Sequence, residues 1–217
     1  MQKHTRPGNA IANREINIFK KFKSPYSIQT FLNSLKYNPN YETKSPKRVA
    51  AVKTANCFEG ALFAAAALKR LGHKPIIVDL IAVDDDDHVI AIFKQNDHYG
   101  AIAKSNTTTL RFREPVYRSL RELIMSYFDF YINILGYKSL RSYSNPVNLS
   151  IFDKYNWIST DEDLEFIGDY LYKIKHHKII NRKMINSLNI ADKQFRNICF
   201  TGSVKKGLFV PKKLIKS

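Results

Sequence analysis

Between Ile76 and Ser105 the chain lays down three apolar runs rich in β-branched residues: Ile76 to Val83, His88 to Lys94 and Tyr99 to Ser105. Asp84-Asp85-Asp86-Asp87 separates the first two, and Gln95-Asn96-Asp97-His98 the last two. Apolar runs of this length, punctuated by turn residues, read as strands, and spacers this short make neighbouring strands antiparallel. A turn centred between Asn96 and Asp97 sets His88 opposite Ser105. A three-residue loop with a bulge would shift that partner to Lys104 or Asn106. Just upstream lies a helix to cover the sheet, Cys57-Phe58-Glu59-Gly60 running into Ala61-Leu62-Phe63-Ala64-Ala65-Ala66-Ala67-Leu68. Asn56 caps it, Glu59 three residues on completes a capping box, and Leu71-Gly72 ends it with glycine at C′. The expected fold class is α+β, a helix packed on a small antiparallel sheet with further helices C-terminal to it.

Cys57 falls in the first turn of that helix, where unpaired backbone N–H groups and the macrodipole favour a thiolate. Glu59 works in the opposite sense, since a nearby carboxylate opposes a second negative charge. His88 follows at the start of a strand. A cysteine on a helix N-terminus and a histidine on the sheet that follows is a common pairing of thiol nucleophile and base. The competing interpretation is a buried, inert cysteine in an Ala/Leu-rich helix. A residue orienting His88 is expected at Ser105 or Asn106. Asp97, in the turn, lies about 30 Å along the strand at ~3.3 Å per residue and is excluded.

The order Cys57 on a helix, His88 on a strand and a polar position after the aromatic-bearing strand from Tyr99 resembles the core of the transglutaminase-like superfamily, a papain-like cysteine fold. The resemblance spans roughly Ala50 to Asn106. It implies that Cys57 attacks an amide or ester carbonyl, that His88 shuttles the proton, and that Asn106 or Ser105 fixes the imidazole. That third position is usually Asp in the superfamily, and neither residue here is acidic. An Asn suffices where the task is orientation and tautomer selection. The implied oxyanion donor is the Cys57 backbone N–H plus one side chain, for which Gln29, on a helix expected near 27–36, is a candidate. The four aspartates before His88 are expected to help hold it protonated.

Composition limits the remainder. At 217 residues with 44% hydrophobic content the chain can bury a proper core. Two cysteines, Cys57 and Cys199, make no disulfide framework, and Cys199 reads as core. Met1 to Pro7 leads into no apolar stretch, and no run is long enough to span a membrane, so a reducing cytoplasm is the expected compartment. The net charge of +16 is uneven: +8 over residues 1–50, −3 over 51–169 and +11 over 170–217. Basic flanks of this kind favour an anionic partner. No zinc-finger spacing, RNP motif or phosphate loop is present. No cofactor is expected. Asp84 to Asp87 lacks the spacing, glycine and closing Glu of a calcium loop and reads as a solvated connection, while adjacent His176-His177 lack a second ligand at helical spacing.

Arg111 and Arg113 alternate with Leu110 and Phe112 and share a strand face, either gripping a substrate carboxylate or phosphate or lining a solvated edge. A helix is expected from Pro115, its core face formed by Val116, Leu120, Leu123, Ile124, Tyr127, Phe128 and Tyr131. A second starts near Thr160 and runs through Leu164, Ile167 and Leu171 to His176-His177. Asp79, an acid inside an apolar strand, is a buried partner for an Arg or a strand-end residue. The organisation expected is a basic segment over 1–48, a core over 49–150 and a helical, basic extension over 151–217. The function expected is a thiol-dependent hydrolase or acyltransferase acting on a peptide or other amide. The alternative is a catalytically silent relative that binds an anionic partner through its flanks.

Overall fold

The computed structural model describes residues 16–40 and 42–211. The N-terminal stretch read for a leader, and part of the basic segment over 1–48, lie outside those residues. After a short 3-10 helix at Ile16–Lys21 come α1 (Pro25–Ser34), β1 (Lys36–Tyr37), α2 (Pro46–Val52), β2 (Thr54–Ala55) and α3 (Cys57–Arg70). The sheet strands follow: β3 (Ile76–Ala82), β4 (His88–Gln95), β5 (His98–Ile102) and β6 (Arg113–Tyr117). Then come α4 (Leu120–Phe128), β7 (Leu140–Ser144), β8 (Val147–Asn148), α5 (Glu165–Lys173), β9 (His176–Lys178), α6 (Arg182–Asn186) and α7 (Lys193–Phe200).

The protein is α+β, with one antiparallel sheet ordered β6-β5-β4-β3-β7-β9 and β8 pairing the start of β3. The β4–β5 turn is tight: Gln95 pairs with His98, and Asn96 and Asp97 take φ of 50° and 61°. Two left-handed residues in succession make the turn whose twist matches a hairpin, and Asn and Asp tolerate that conformation best after Gly. The ladder runs back to Ala91 opposite Ile102. Continued in the same register, it sets His88 across from Ser105.

Side chains alternate across each strand, so the sheet has two apolar faces. Val89, Ala91 and Phe93 of β4 and Ile77 of β3 pack against α1, α2 and α3. Ile90 and Ile92, with Val78 and Leu80, pack against Leu123, Ile124 and Tyr127 of α4. Each buried Val, Leu, Ile or Phe among them is worth roughly 1.5–3 kcal/mol over leaving it exposed. The alanines of α3 bring it close to β4. Gly60 is required there, because a side chain at that position would collide with the Cβ of Lys104. Lys104 donates in turn to the Leu32 and Leu35 carbonyls at 3.0 and 2.5 Å, closing the C-terminus of α1. The end of α3 has the expected glycine, Gly72 at φ 91°.

Three stretches depart from expectation. Pro115 opens no helix; it lies in edge strand β6, where a missing N–H leaves no ladder bond unmade. The helix starts five residues later, at Leu120, because Ser119 supplies the cap to the Glu122 amide. The helix expected from Thr160 begins at Glu165, since Thr160 and Asp163 spend their side chains on the amides of Glu162 and Glu165 in the preceding loop. His176 and His177 do not end a helix but form β9 against β7, joining the stretch after residue 150 to the main sheet. No helix among the described residues is long and apolar enough to cross a membrane.

Candidate functional site around Cys57 and His88

The start of α3 is fixed from several sides. Asn56 Oδ1 accepts from the Glu59 amide at 2.9 Å, and Glu59 Oε2 accepts from the Asn56 amide at 2.8 Å, the reciprocal capping box. Glu59 is fully buried and takes three more bonds: from Asn38 Nδ2 at 3.0 Å, the Lys44 amide at 3.0 Å and Lys44 Nζ at 2.6 Å. Tyr37 pairs with Ala55 in the short parallel β1–β2 ladder just before the cap. Cys57 thus has little backbone freedom. Its thiol donates to the Asp87 carbonyl at 3.7 Å, and the Val89 and Phe58 amides face the sulfur. Those amides favour a thiolate. Burial outweighs them, aided by Asp86 and Asp79, and the thiol is pushed up to about 12.

His88 is buried and shares its strand face with Ile90 and Ile92, opposite the face covered by α3. Its Nε2 lies 2.9 Å from the Leu110 carbonyl, and its ring meets Tyr131 edge-on at 6.4 Å. A carbonyl only accepts, so Nε2 carries the proton and Nδ1 holds the lone pair. Burial pushes the imidazole down to about 4, and Arg113 adds to this against the Leu110 bond. The expectation that the aspartates keep His88 protonated therefore fails: burial dominates, and the charge that shifts it further is positive. No hydrogen bond joins Cys57 and His88 among the described residues; each is engaged to a backbone carbonyl instead.

The two residues nonetheless line one cavity of about 830 Å³, with Tyr37, Asp86, Tyr131 and Leu208 among its walls. Ser105 and Asn106 line it as well, but neither hydrogen-bonds the imidazole. Ser105 Oγ bonds Thr107, and Asn106 holds the chain at Val204 and Gly207. The orienting group on His88 is the Leu110 carbonyl, which has no side-chain signature for a sequence to reveal.

Gln29, Arg111 and Arg113 do not line the cavity. Gln29 is buried and exchanges two bonds with Ala103, Nε2 donating to its carbonyl at 2.9 Å and Oε1 accepting from its amide at 3.0 Å. Its second N–H goes to Asn33 Oδ1 at 2.9 Å, so no donor is left to aim at an oxyanion. Arg113 clamps α4 through Ser126 and lies 3.9 Å over the Tyr127 ring, while Arg111 is half-buried and its carbonyl accepts from Tyr127 Oη. The aspartates are more than a solvated connection. Asp85 accepts from Ser139 Oγ at 2.6 Å, and burial raises its carboxyl to about 7. Asp79 faces His176, Oδ2 to Nε2 3.7 Å, and burial with Asp87 nearby raises it to about 6. Among known proteins, no family model and no curated protein matches this chain.

Proposed function

We propose that the protein is a thiol-dependent hydrolase or acyltransferase of transglutaminase-like type, with Cys57 as nucleophile and His88 as base. The observation that carries this reading is the protonation geometry of His88. Its Nε2–H is held by the Leu110 carbonyl, which leaves Nδ1 as the unprotonated nitrogen of a residue that lines the same cavity as Cys57. That is the tautomer a nucleophile–base–orienter set requires, and a backbone carbonyl takes the role otherwise given to Asp or Asn. Thiol and imidazole rest neutral, one with a raised and the other with a lowered pKa. The mechanism is therefore general-base catalysis, without a standing ion pair. Sγ turns from the Asp87 carbonyl and passes its proton to Nδ1 as the C–S bond forms. First-turn amides of α3 face the developing oxyanion. The leaving amine or alcohol takes the proton back as its bond to carbon breaks. Water or another acceptor then releases the acyl group from the thioester.

The test is acylation of Cys57 by p-nitrophenyl acetate, read by intact-protein mass spectrometry in a Cys199→Ser background. The expected result is a single acetyl adduct lost in Cys57→Ala and formed roughly a hundredfold more slowly in His88→Ala. Because neutral His88 is the active form, the acylation rate should fall as pH drops through about 4 rather than through the ordinary histidine range. No adduct on Cys57, or a rate indifferent to His88, overturns the reading. The raised thiol favours a second one, a catalytically silent module that binds an anionic partner through its basic flanks. Salt-dependent binding that survives Cys57→Ala, with no adduct, would establish it.

A further inference from the structure

The segment after α7 forms part of the cavity wall. Lys206, Gly207, Leu208, Phe209 and Val210 line it together with Cys57 and His88. One residue fastens this segment. Asn106 Nδ2 donates to the Val204 carbonyl at 3.0 Å and the Gly207 carbonyl at 2.9 Å, and its Oδ1 accepts from the Val204 amide at 2.8 Å. The Ser203 hydroxyl adds a bond to the Asn106 carbonyl at 3.1 Å. Gly207 sits flat on Tyr37, where an added Cβ would come within 2.6 Å of the ring. Upstream, Gly202 takes φ of 75° with open space around it, a point where the chain can pivot. None of residues 201–210 is buried, so the segment contributes no side chain to either apolar cluster. A stretch held by these hydrogen bonds and the Gly207–Tyr37 contact, and running to buried Pro211, opens at lower cost than the fold itself.

We propose that Ser203–Val210 is a releasable strap over the Cys57 cavity, hinged at Gly202 and latched by Asn106, that controls which molecules reach the thiol. Latched, it admits small molecules and excludes anything of peptide size. Released, it uncovers the cavity along the Tyr37 side. The regulatory meaning rests on Cys57 acting as nucleophile; the strap itself does not.

The experiment compares two thiol reagents of different size, fluorescein maleimide and iodoacetamide, on Cys57 in the full chain carrying Cys199→Ser. Taking the ratio of the two rates cancels any change in the thiol's own pKa. Two variants release the strap by independent means: Asn106→Ala removes the latch, and Gly207→Val forces the segment off Tyr37. In both, the maleimide-to-iodoacetamide ratio should rise about tenfold, as expected for the loss of two or three hydrogen bonds. An unchanged ratio in both variants overturns the strap. So does a parallel rise with both reagents, which marks a loosened fold. The readout needs no catalysis: a chain that fails the p-nitrophenyl acetate test can still pass this one, and the reverse.

Discussion

Two polar networks meet at the cavity, one on each side of Cys57, and they are built to opposite ends. The start of α3 is held by a fully buried carboxylate with four partners, Asn38 Nδ2, the Lys44 amide, Lys44 Nζ and the Asn56 amide. The strap is held by the side chain of Asn106 and one serine hydroxyl, and none of residues 201–210 is buried. The first adds the Lys44–Glu59 ion pair to its hydrogen bonds, and the second has no ion pair among the described residues. Burial makes the difference, because a polar network inside the fold cannot be broken without stranding its members, whereas one at the surface is exchanged for water. On the proposed reading, the nucleophile stands on the first and the cover on the second, a rigid reacting centre beneath a movable entrance.

Removing the buried carboxylate is the harshest way to test that contrast. Glu59→Ala strands the Lys44 ammonium, the Lys44 and Asn56 amides and Asn38 Nδ2 in a dry site. The expected loss is ~3–5 kcal/mol, the range for breaking one side of a buried ion pair. Urea unfolding measures it. A loss under ~1 kcal/mol, typical of exposed pairs, would place the start of α3 in the same class as the strap and dissolve the contrast.

The capping box of Asn56 and Glu59, the glycine at Gly72 and the Asn96-Asp97 turn were all legible in the sequence, because each is decided within a few residues. The turn also carried the register of β4 and β5 from Gln95–His98 to Ala91–Ile102. Distance along the chain is what hid the rest. Gln29 finds Ala103 from 74 residues away, and Asn106 finds Gly207 from 101. Asp79 meets His176 only because β7 and β9 complete the sheet. The face of His88 was hidden for another reason. His88-Val89-Ile90-Ala91-Ile92-Phe93 is apolar on both parities, as a strand covered on both sides must be, so alternation gives no sign of which face α3 covers. The helix expected at Pro115 failed because proline's fixed φ suits an edge strand as well as a first helical turn.

A milder probe acts on the acidic rim between the two networks. Burial raises the Asp85 carboxyl from 3.8 to about 7, so the folded state favours its neutral form. Its contribution is therefore best below the unfolded value and is lost as pH rises through about 7. Asp85→Asn removes that charge and can still accept from the Asp86 amide while donating to the Ser139 hydroxyl. At pH ~8 the variant should be the more stable by on the order of 1 kcal/mol, after discounting for solvent at the rim, and at pH ~3.5 the difference should vanish. His88, with its lowered pKa, gives the opposite slope, stabilising at neutral pH and lost as pH falls through about 4. It is common to both proteins and cancels in their difference. A variant less stable than the parent at pH ~8 would mean that Asp85 is held by its partners against burial.

The smallest effect is the most telling for the contrast. Asn106→Ala removes three hydrogen bonds to the strap, and three such bonds inside a core would be worth ~3 kcal/mol. If the strap opens before the fold does, those bonds are already broken in the state from which the molecule unfolds. They then drop out of the global stability. The urea midpoint should move by less than ~0.5 kcal/mol, the range of a surface substitution, while amide exchange over Ser203 to Val210 accelerates and the α3 amides stay protected. The two readouts divide the energy between local and global opening, which a midpoint alone cannot do. A loss near ~3 kcal/mol with the α3 amides exposed in parallel would mean that strap and core unfold as one. The cavity would then have a fixed wall where a movable entrance is proposed.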